Sequence, residues 1–306
     1  MILVTGAGGK TGRAVLRALS SEAGPVRSPN AEASPVGALT VEANPVRALV
    51  HREDQTPAAV TDGASEVVVG DMRVAETMAE ATRGARAVYH IPPNMAPDEV
   101  AILETAIDGA LAAGVEHFVY HSVLHPQIEA MPHHWQKMRA EERLLESGLP
   151  VTILQPAVYM QNTLAHRTRI VEEGIYPVPY AADAGVIMVD LEDVARVAAI
   201  VLTEPGHEGA TYELCGREIL SPEEIAETFT RFLGRPVRVE VVALEAWAAS
   251  AREAGLGDYQ IETLLAMFTY YERYGLVGNS KVLEWILGRP AVGFEAFVER
   301  FASNLG

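Results

Sequence analysis

The chain has 306 residues, is 49% hydrophobic, carries a formal net charge of −17 and contains one cysteine, Cys215. This length and apolar content suffice for one large α/β domain, or a larger domain with a smaller appendage. The acidic balance argues against sequence-independent nucleic-acid binding and against an anionic membrane surface, a lone cysteine leaves no internal disulfide framework and fits a reducing cytoplasm, and no apolar run reaches the length of a membrane span.

The first predicted element is a short apolar strand, Ile2-Leu3-Val4, which places the N-terminus in a core strand rather than a signal peptide. It runs directly into Gly6, Gly9 and Gly12, spaced three apart, and then into the helix-forming run Arg13-Ala14-Val15-Leu16-Arg17-Ala18-Leu19. Strand, glycine turn and helix are the opening of a Rossmann unit, in which backbone N–H groups and a helix N-terminus meet a pyrophosphate. Gly6 permits the tight turn, Gly9 leaves room for phosphates and Gly12 lets helix and strand approach, with Lys10 and Thr11 on the same turn. The spacing is G-x-x-G-x-x-G rather than the usual G-x-G-x-x-G.

A repeat follows. Glu22-Ala23-Gly24-Pro25-Val26 recurs as Glu32-Ala33-Ser34-Pro35-Val36 and as Glu42-Ala43-Asn44-Pro45-Val46, with a period of ten residues. The residue that reads the adenosine ribose normally lies about 20 residues beyond the glycines. Here the candidate, Arg52, lies 40 residues past Gly12, and two extra copies of the repeat account for the excess. A surface excursion over residues 24–44 is expected, with Pro25, Pro29, Pro35 and Pro45 opposing helix.

Strands are expected at 46–50, 66–69, 87–91, 117–122 and 151–155, alternating with helices at about 74–83, 97–113 and 132–147. Gly114 and Gly148 stop the last two of these helices. The alternation predicts a parallel, doubly wound α/β sheet. The domain reading is a dinucleotide-binding unit over 1–155 and a substrate-cleft portion over 156–306, smaller, mostly helical and partly interleaved with the sheet. In that second part a helix is expected at 158–173 and a Pro-broken loop at 176–180. Strands follow at 186–189, 211–215 and 237–242, with helices at 191–203 and from Pro222, behind a Ser221 capping box.

The second strand ends in His51-Arg52, and a cation at this point suits the 2′-phosphate of NADP, so NADP(H) is expected, with NAD(H) the alternative. Glu53 and Asp54 follow immediately. Asp71 stands where it can accept from an adenine amino group, or act as a helix N-cap, with Met72 against the ring. The Ile91-Pro92-Pro93 corner falls where the chain passes the nicotinamide half.

Together these residues resemble the NmrA-like group of atypical short-chain dehydrogenases/reductases. The matching pieces include Val4 to Gly12, Arg47-Ala48-Leu49-Val50-His51-Arg52, Val69-Gly70-Asp71 and Ser122. Further along they include Lys137 with Glu141, Ser147-Gly148-Leu149-Pro150, Leu154 to Asn162, and Leu287-Gly288-Arg289-Pro290 ahead of Phe294-Glu295-Ala296-Phe297. The resemblance implies a Rossmann domain that binds NAD(P) with a small C-terminal domain. Activity is either reduction of quinone, azo or isoflavone-type substrates, or dinucleotide sensing through a protein partner without turnover.

Classical short-chain reductases pair a Tyr-x-x-x-Lys with a Ser. Lys137 stands at the Lys position and Ser122 at the Ser position, but the residue four before Lys137 is His133. On one helix face, His133 near neutrality, or a bound water, would complete proton transfer while Lys137 orients the cofactor. Tyr159, after the sixth strand, is the alternative acid. No metal is expected: His117 and His121 would be about 13 Å apart along a strand and no ligand spacing joins them. The expectation is a cytoplasmic monomer or homodimer that reduces a small, fairly apolar carbonyl, quinone or enone with NADPH, without nucleic acid or membrane.

Overall fold

The structure is a computed structural model, and it describes residues 1–21 and 44–303. Except for Asn44, the repeat excursion expected over 24–44 lies outside the described residues. The first half contains β1 (Ile2–Val4), α1 (Lys10–Ser21), β2 (Val46–Val50), α2 (Thr56–Thr61), β3 (Glu66–Val69), α3 (Ala75–Thr82) and β4 (Ala87–His90). It continues with α4 (Glu99–Ala113), β5 (His117–His121), α5 (Pro132–Glu146) and β6 (Val151–Pro156). These follow the predicted alternation, with the short α2 added.

The second half contains β7 (Val158–Tyr159), a 3₁₀ segment Met160–His166, a π turn Arg169–Glu173, β8 (Ile175–Val178), β9 (Val186–Val189), α6 (Leu191–Thr203), β10 (Thr211–Leu214) and β11 (Ile219–Leu220). After these come α7 (Pro222–Leu233), β12 (Arg238–Val241), α8 (Leu244–Glu253), α9 (Asp258–Tyr274), α10 (Lys281–Leu287) and α11 (Phe294–Ser303). Two expectations are corrected. The 158–173 stretch is not one helix, because Val158 and Tyr159 are drawn into extended pairing with Met188 and Val189 of β9. The 176–180 stretch is not all loop, because β8 pairs in parallel with β12. Pro177 is tolerated there because the sheet has only two strands, so β8 is an edge strand.

The main sheet has seven strands in the order β10-β6-β5-β4-β1-β2-β3. Every pairing in it is parallel. Order reverses between β1 and β4, which makes a crevice at the carboxyl ends of those strands, where ligands of doubly wound sheets bind. Side chains alternate between two cores, as strand geometry requires. Ile2, Val4, Ala48, Val50 and Tyr89 pack on one face with residues of α1 and α6. Leu3, Leu49, Val88, Phe118 and Tyr120 pack on the other with residues of α3, α4 and α5. A further core joins Phe229 of α7 to Phe294 and Phe297 of α11. The Ser221 capping box forms as expected: its side chain accepts from Glu224 N while the Glu224 carboxylate accepts from Ser221 N.

Candidate functional site

A cleft of about 850 Å³ opens over the carboxyl ends of the strands, lined from the glycine turn through Asp71, Ile91, Ser122 and Lys137 to α9. At one end, Gly6 has φ +61°, and a Cβ there would lie 2.6 Å from the Ile91 carbonyl oxygen. A Cβ on Gly12 would lie 2.5 Å from the Gly6 carbonyl oxygen and 2.6 Å from Ala7 Cα, so helix and strand touch as the spacing predicts. A Cβ on Gly9 would meet only the Gly6 carbonyl oxygen, at 3.4 Å, and otherwise project into open space. The first turn of α1 brings N–H groups without intrahelical acceptors to this end of the cleft. The turn thus has the small-residue surface and the donors that a diphosphate requires.

Lys10 and Thr11 line the same end. The Lys10 ammonium donates to Asn162 Oδ1 at 2.7 Å and lies 5.5 Å from the Tyr159 ring centroid. Burial lowers its pKa. Asp71 and Met72 line the neighbouring wall. The helix-cap reading of Asp71 is corrected: the N-cap of α3 is Val74, and Asp71 Oδ1 instead accepts from Arg73 N at 3.0 Å.

Arg52 is placed differently from the expectation. It does not line the cleft, whereas His51 and Gln55 do. Its guanidinium turns to Asp54, with Nε 3.0 Å from Oδ1, and its side chain is 63% exposed. Gln55 determines this turn by accepting from both His51 N and Arg52 N at 3.1 Å. Sequence reading passed over Gln55, and Arg52-x-x-Gln55 lacks the Ser or Thr that would mark a capping box.

From Ile91, which touches Gly6, the lining continues through Pro92 to a polar cluster. The Lys137 ammonium lies 2.6 Å from Glu99 Oε1, donates to the His121 carbonyl oxygen at 2.8 Å, and sits 4.9 Å from the Tyr120 ring centroid. Tyr120 donates to the same Glu99 oxygen at 2.5 Å. Ser122 donates its hydroxyl hydrogen to Glu141, which also accepts from Gln155 Nε2 at 3.0 Å through both oxygens. Ser122 therefore lines the cleft with its hydroxyl hydrogen donated to Glu141. Burial pushes the Glu141 carboxyl up despite these donors.

His133 also lines the cleft, but it is not a near-neutral acid. Burial, then His134 and Lys137, lower its pKa to about 3. Its Nδ1 is buried without a hydrogen-bond partner. Tyr159 presents its hydroxyl to His121 Nε2 at 2.7 Å, and His121 Nδ1 meets the Tyr89 hydroxyl at 2.6 Å. The other histidines serve separate bonds: His117 to Thr152 Oγ1 at 2.8 Å, His125 to the Val277 carbonyl at 2.8 Å, and His134 to the His125 carbonyl at 3.0 Å. Cys215 is buried, and burial raises its thiol to about 11, so it is a core residue. Leu264, Met267 and Tyr271 of α9, with Leu276, form an apolar wall of the same cleft. Their helical spacing marks one face, but not which face meets the cleft.

The NmrA-like family model matches residues 1–296. The chain is 30% identical over 308 residues to the NAD(P)H azoreductase of Xenophilus azovorans, covering 100% of this chain and 99% of that protein. It is 32% identical over 301 residues to the (4-alkanoyl-5-oxo-2,5-dihydrofuran-3-yl)methyl phosphate reductase of Streptomyces griseus, covering 96% and 95%. Among solved structures it is similar to the NADPH-dependent quinone oxidoreductase of Escherichia coli complexed with NADPH. That likeness has a TM-score of 0.81, 26% identity, and coverage of 98% of this chain and 99% of that one. Among the described residues no helix is long and apolar enough to cross a membrane.

Proposed function

The chain belongs to the NmrA-like family, and from that premise we propose that it is an NAD(P)H-dependent oxidoreductase acting on a small, largely apolar carbonyl, quinone or enone. The observation that carries this reading is one continuous cleft that joins the Gly6–Gly12 turn to Lys137 and Tyr159 and ends against an apolar wall. Reductase relatives that align over nearly their whole length support the reaction class.

The residues present fit a dinucleotide. The diphosphate would lie on the amides of the glycine turn and of the first turn of α1, where only glycine leaves the space. Asp71 and Met72 would hold the adenine, and Ile91, Pro92 and Lys137 would border the nicotinamide half. When bound, the dihydronicotinamide supplies the hydride. Glu99 and the His121 carbonyl hold Lys137 on the cleft floor, so its charge is fixed before any ligand arrives. The apolar wall of Leu264, Met267, Tyr271 and Leu276 excludes water from the space beside it and selects an apolar substrate body. His133, held neutral, offers a ring nitrogen for hydrogen bonding rather than a charged acid.

The test is direct titration with NADPH and NADH, together with oxidation of both against a panel of quinones and enones. Binding with turnover is expected. Binding without turnover on any member of the panel would make the protein a dinucleotide sensor, a reading favoured by the absence of Tyr four residues before Lys137. No binding overturns both.

A further inference from the structure

We propose that Tyr159 donates the hydrogen bond that meets the substrate oxygen on which charge builds, and that Tyr89, from inside the core, aims it by fixing which nitrogen of His121 carries the proton. This deepens the reductase reading above and rests on it for the substrate oxygen. The arrangement of protons rests on the three side chains alone.

Tyr89 is fully buried. Its hydroxyl lies 2.6 Å from His121 Nδ1 and, among the described residues, no other acceptor is within hydrogen-bond distance. A neutral imidazole has one donor and one acceptor nitrogen. Were the proton on Nδ1, that N–H would face the Tyr89 oxygen and the Tyr89 hydroxyl hydrogen would be buried unpaired, which is costly. With Nδ1 bare, Tyr89 donates to it and both groups are satisfied. The proton then belongs on Nε2, which donates to the Tyr159 oxygen 2.7 Å away.

Tyr159 is thereby made an acceptor toward His121. A phenolic oxygen has two acceptor sites and one hydrogen. Because Tyr159 accepts from His121, its own hydrogen is not spent on that bond, and the side chain that carries it lines the cleft. Burial, then Lys137, lower the His121 pKa to about 3, so the ring is neutral and has a single proton to place. Burial raises Tyr159, so its O–H persists through the neutral range. Donors pre-aimed at a developing oxyanion need no reorganisation during the reaction.

The first experiment needs no cofactor: long-range proton–nitrogen correlation on protein with labelled histidine, read at His121. The Nε2–H tautomer is expected, and an Nδ1–H signal in the wild-type protein overturns the proposal. In Tyr89→Phe the preference should relax toward a mixture, and an unchanged Nε2–H signal would remove Tyr89 from the device. Tyr159→Phe, which leaves the Tyr89–His121 bond intact, should keep the wild-type NADPH Kd and lose roughly 100-fold or more in kcat. Tyr89→Phe should show a smaller loss in kcat with the same Kd. Unchanged kcat in Tyr159→Phe sinks the donor role. If NADPH binds and no quinone or enone is reduced by the wild type, the reductase reading fails while the tautomer result still stands or falls separately. Should Tyr89→Phe not fold, the wild-type tautomer and Tyr159→Phe decide the matter.

Discussion

The ammonium of Lys137 lies 2.6 Å from a carboxylate oxygen of Glu99, whose side chain is only 1% exposed. Taking such a pair apart costs more than its net contribution, because the group left behind loses its partner in a dry place. Lys137→Met should therefore lower unfolding stability by roughly 3–5 kcal/mol. The double variant Lys137→Met with Glu99→Gln should recover most of that loss in urea unfolding. Turnover with NADPH should stay low in both, since the cation proposed to border the nicotinamide half is gone. A double variant no more stable than the single one would show that Glu99 is not the residue stranded.

The glycine turn separates folding from binding. Gly12→Ala places a Cβ 2.5 Å from the Gly6 carbonyl oxygen, and backbone on both sides leaves no flexible neighbour to give way. The protein should melt several degrees lower and bind NADPH poorly. Gly9→Ala meets only the Gly6 carbonyl oxygen, at 3.4 Å, so thermal stability should stay close to wild type. The methyl instead enters the space proposed for the diphosphate, and the NADPH Kd should rise roughly tenfold or more. Thermal unfolding with and without NADPH reads both effects. Gly9→Ala with a wild-type Kd would move the diphosphate off this turn.

Cofactor choice should hinge on Arg52 and Asp54. The two form an exposed ion pair with Nε–Oδ1 of 3.0 Å, and such pairs contribute about 0–1 kcal/mol. Asp54 therefore competes with a 2′-phosphate for the same guanidinium, but only weakly. Wild-type protein should bind NADPH modestly more tightly than NADH, Asp54→Ala should widen that ratio by up to about fivefold, and Arg52→Ala should bring it close to one. A Kd ratio that Arg52→Ala leaves unchanged would place the 2′-phosphate elsewhere.

The main sheet is legible in the sequence because parallel strands covered on both faces read as unbroken apolar runs between helix signals. Ile2-Leu3-Val4 and Val46 to Val50 are such runs, and the glycines after the first can be read from local geometry alone. Tyr159 is not legible in the same way. Its extended backbone comes from pairing with Val189, thirty positions away, and nothing near Tyr159 announces it. Glu99 looks like an ordinary surface carboxylate of α4, and Glu141 is marked only by the family resemblance beside Lys137; the assembled sheet buries them against Lys137 and Ser122. Likewise, Arg52 is visible as a cation at a strand end, whereas its turn toward Asp54 depends on where Gln55 holds the backbone.

Acid should unfold this protein earlier than its carboxylates alone would require. Burial lowers the pKa of His90, His121 and His133 to about 3 and that of His134 to about 4. In the unfolded chain each imidazole takes up a proton near pH 6.5, as an unperturbed histidine does. Between that pH and the folded values the unfolded state holds more protons, so stability falls as pH drops. Each histidine contributes up to about 1.4 kcal/mol per pH unit, and the contribution is complete above pH 6.5. Glu141, whose carboxyl burial pushes up, acts in the opposite sense, against these four and against His117 and His166, which burial also lowers. Urea unfolding should therefore show a clear loss of stability between about pH 7 and about pH 5, where ordinary carboxylates remain ionised. His134→Asn, which keeps a donor for the His125 carbonyl, should flatten that slope by about one proton. A stability that stays level across this interval would mean that these imidazoles are not held neutral in the folded state.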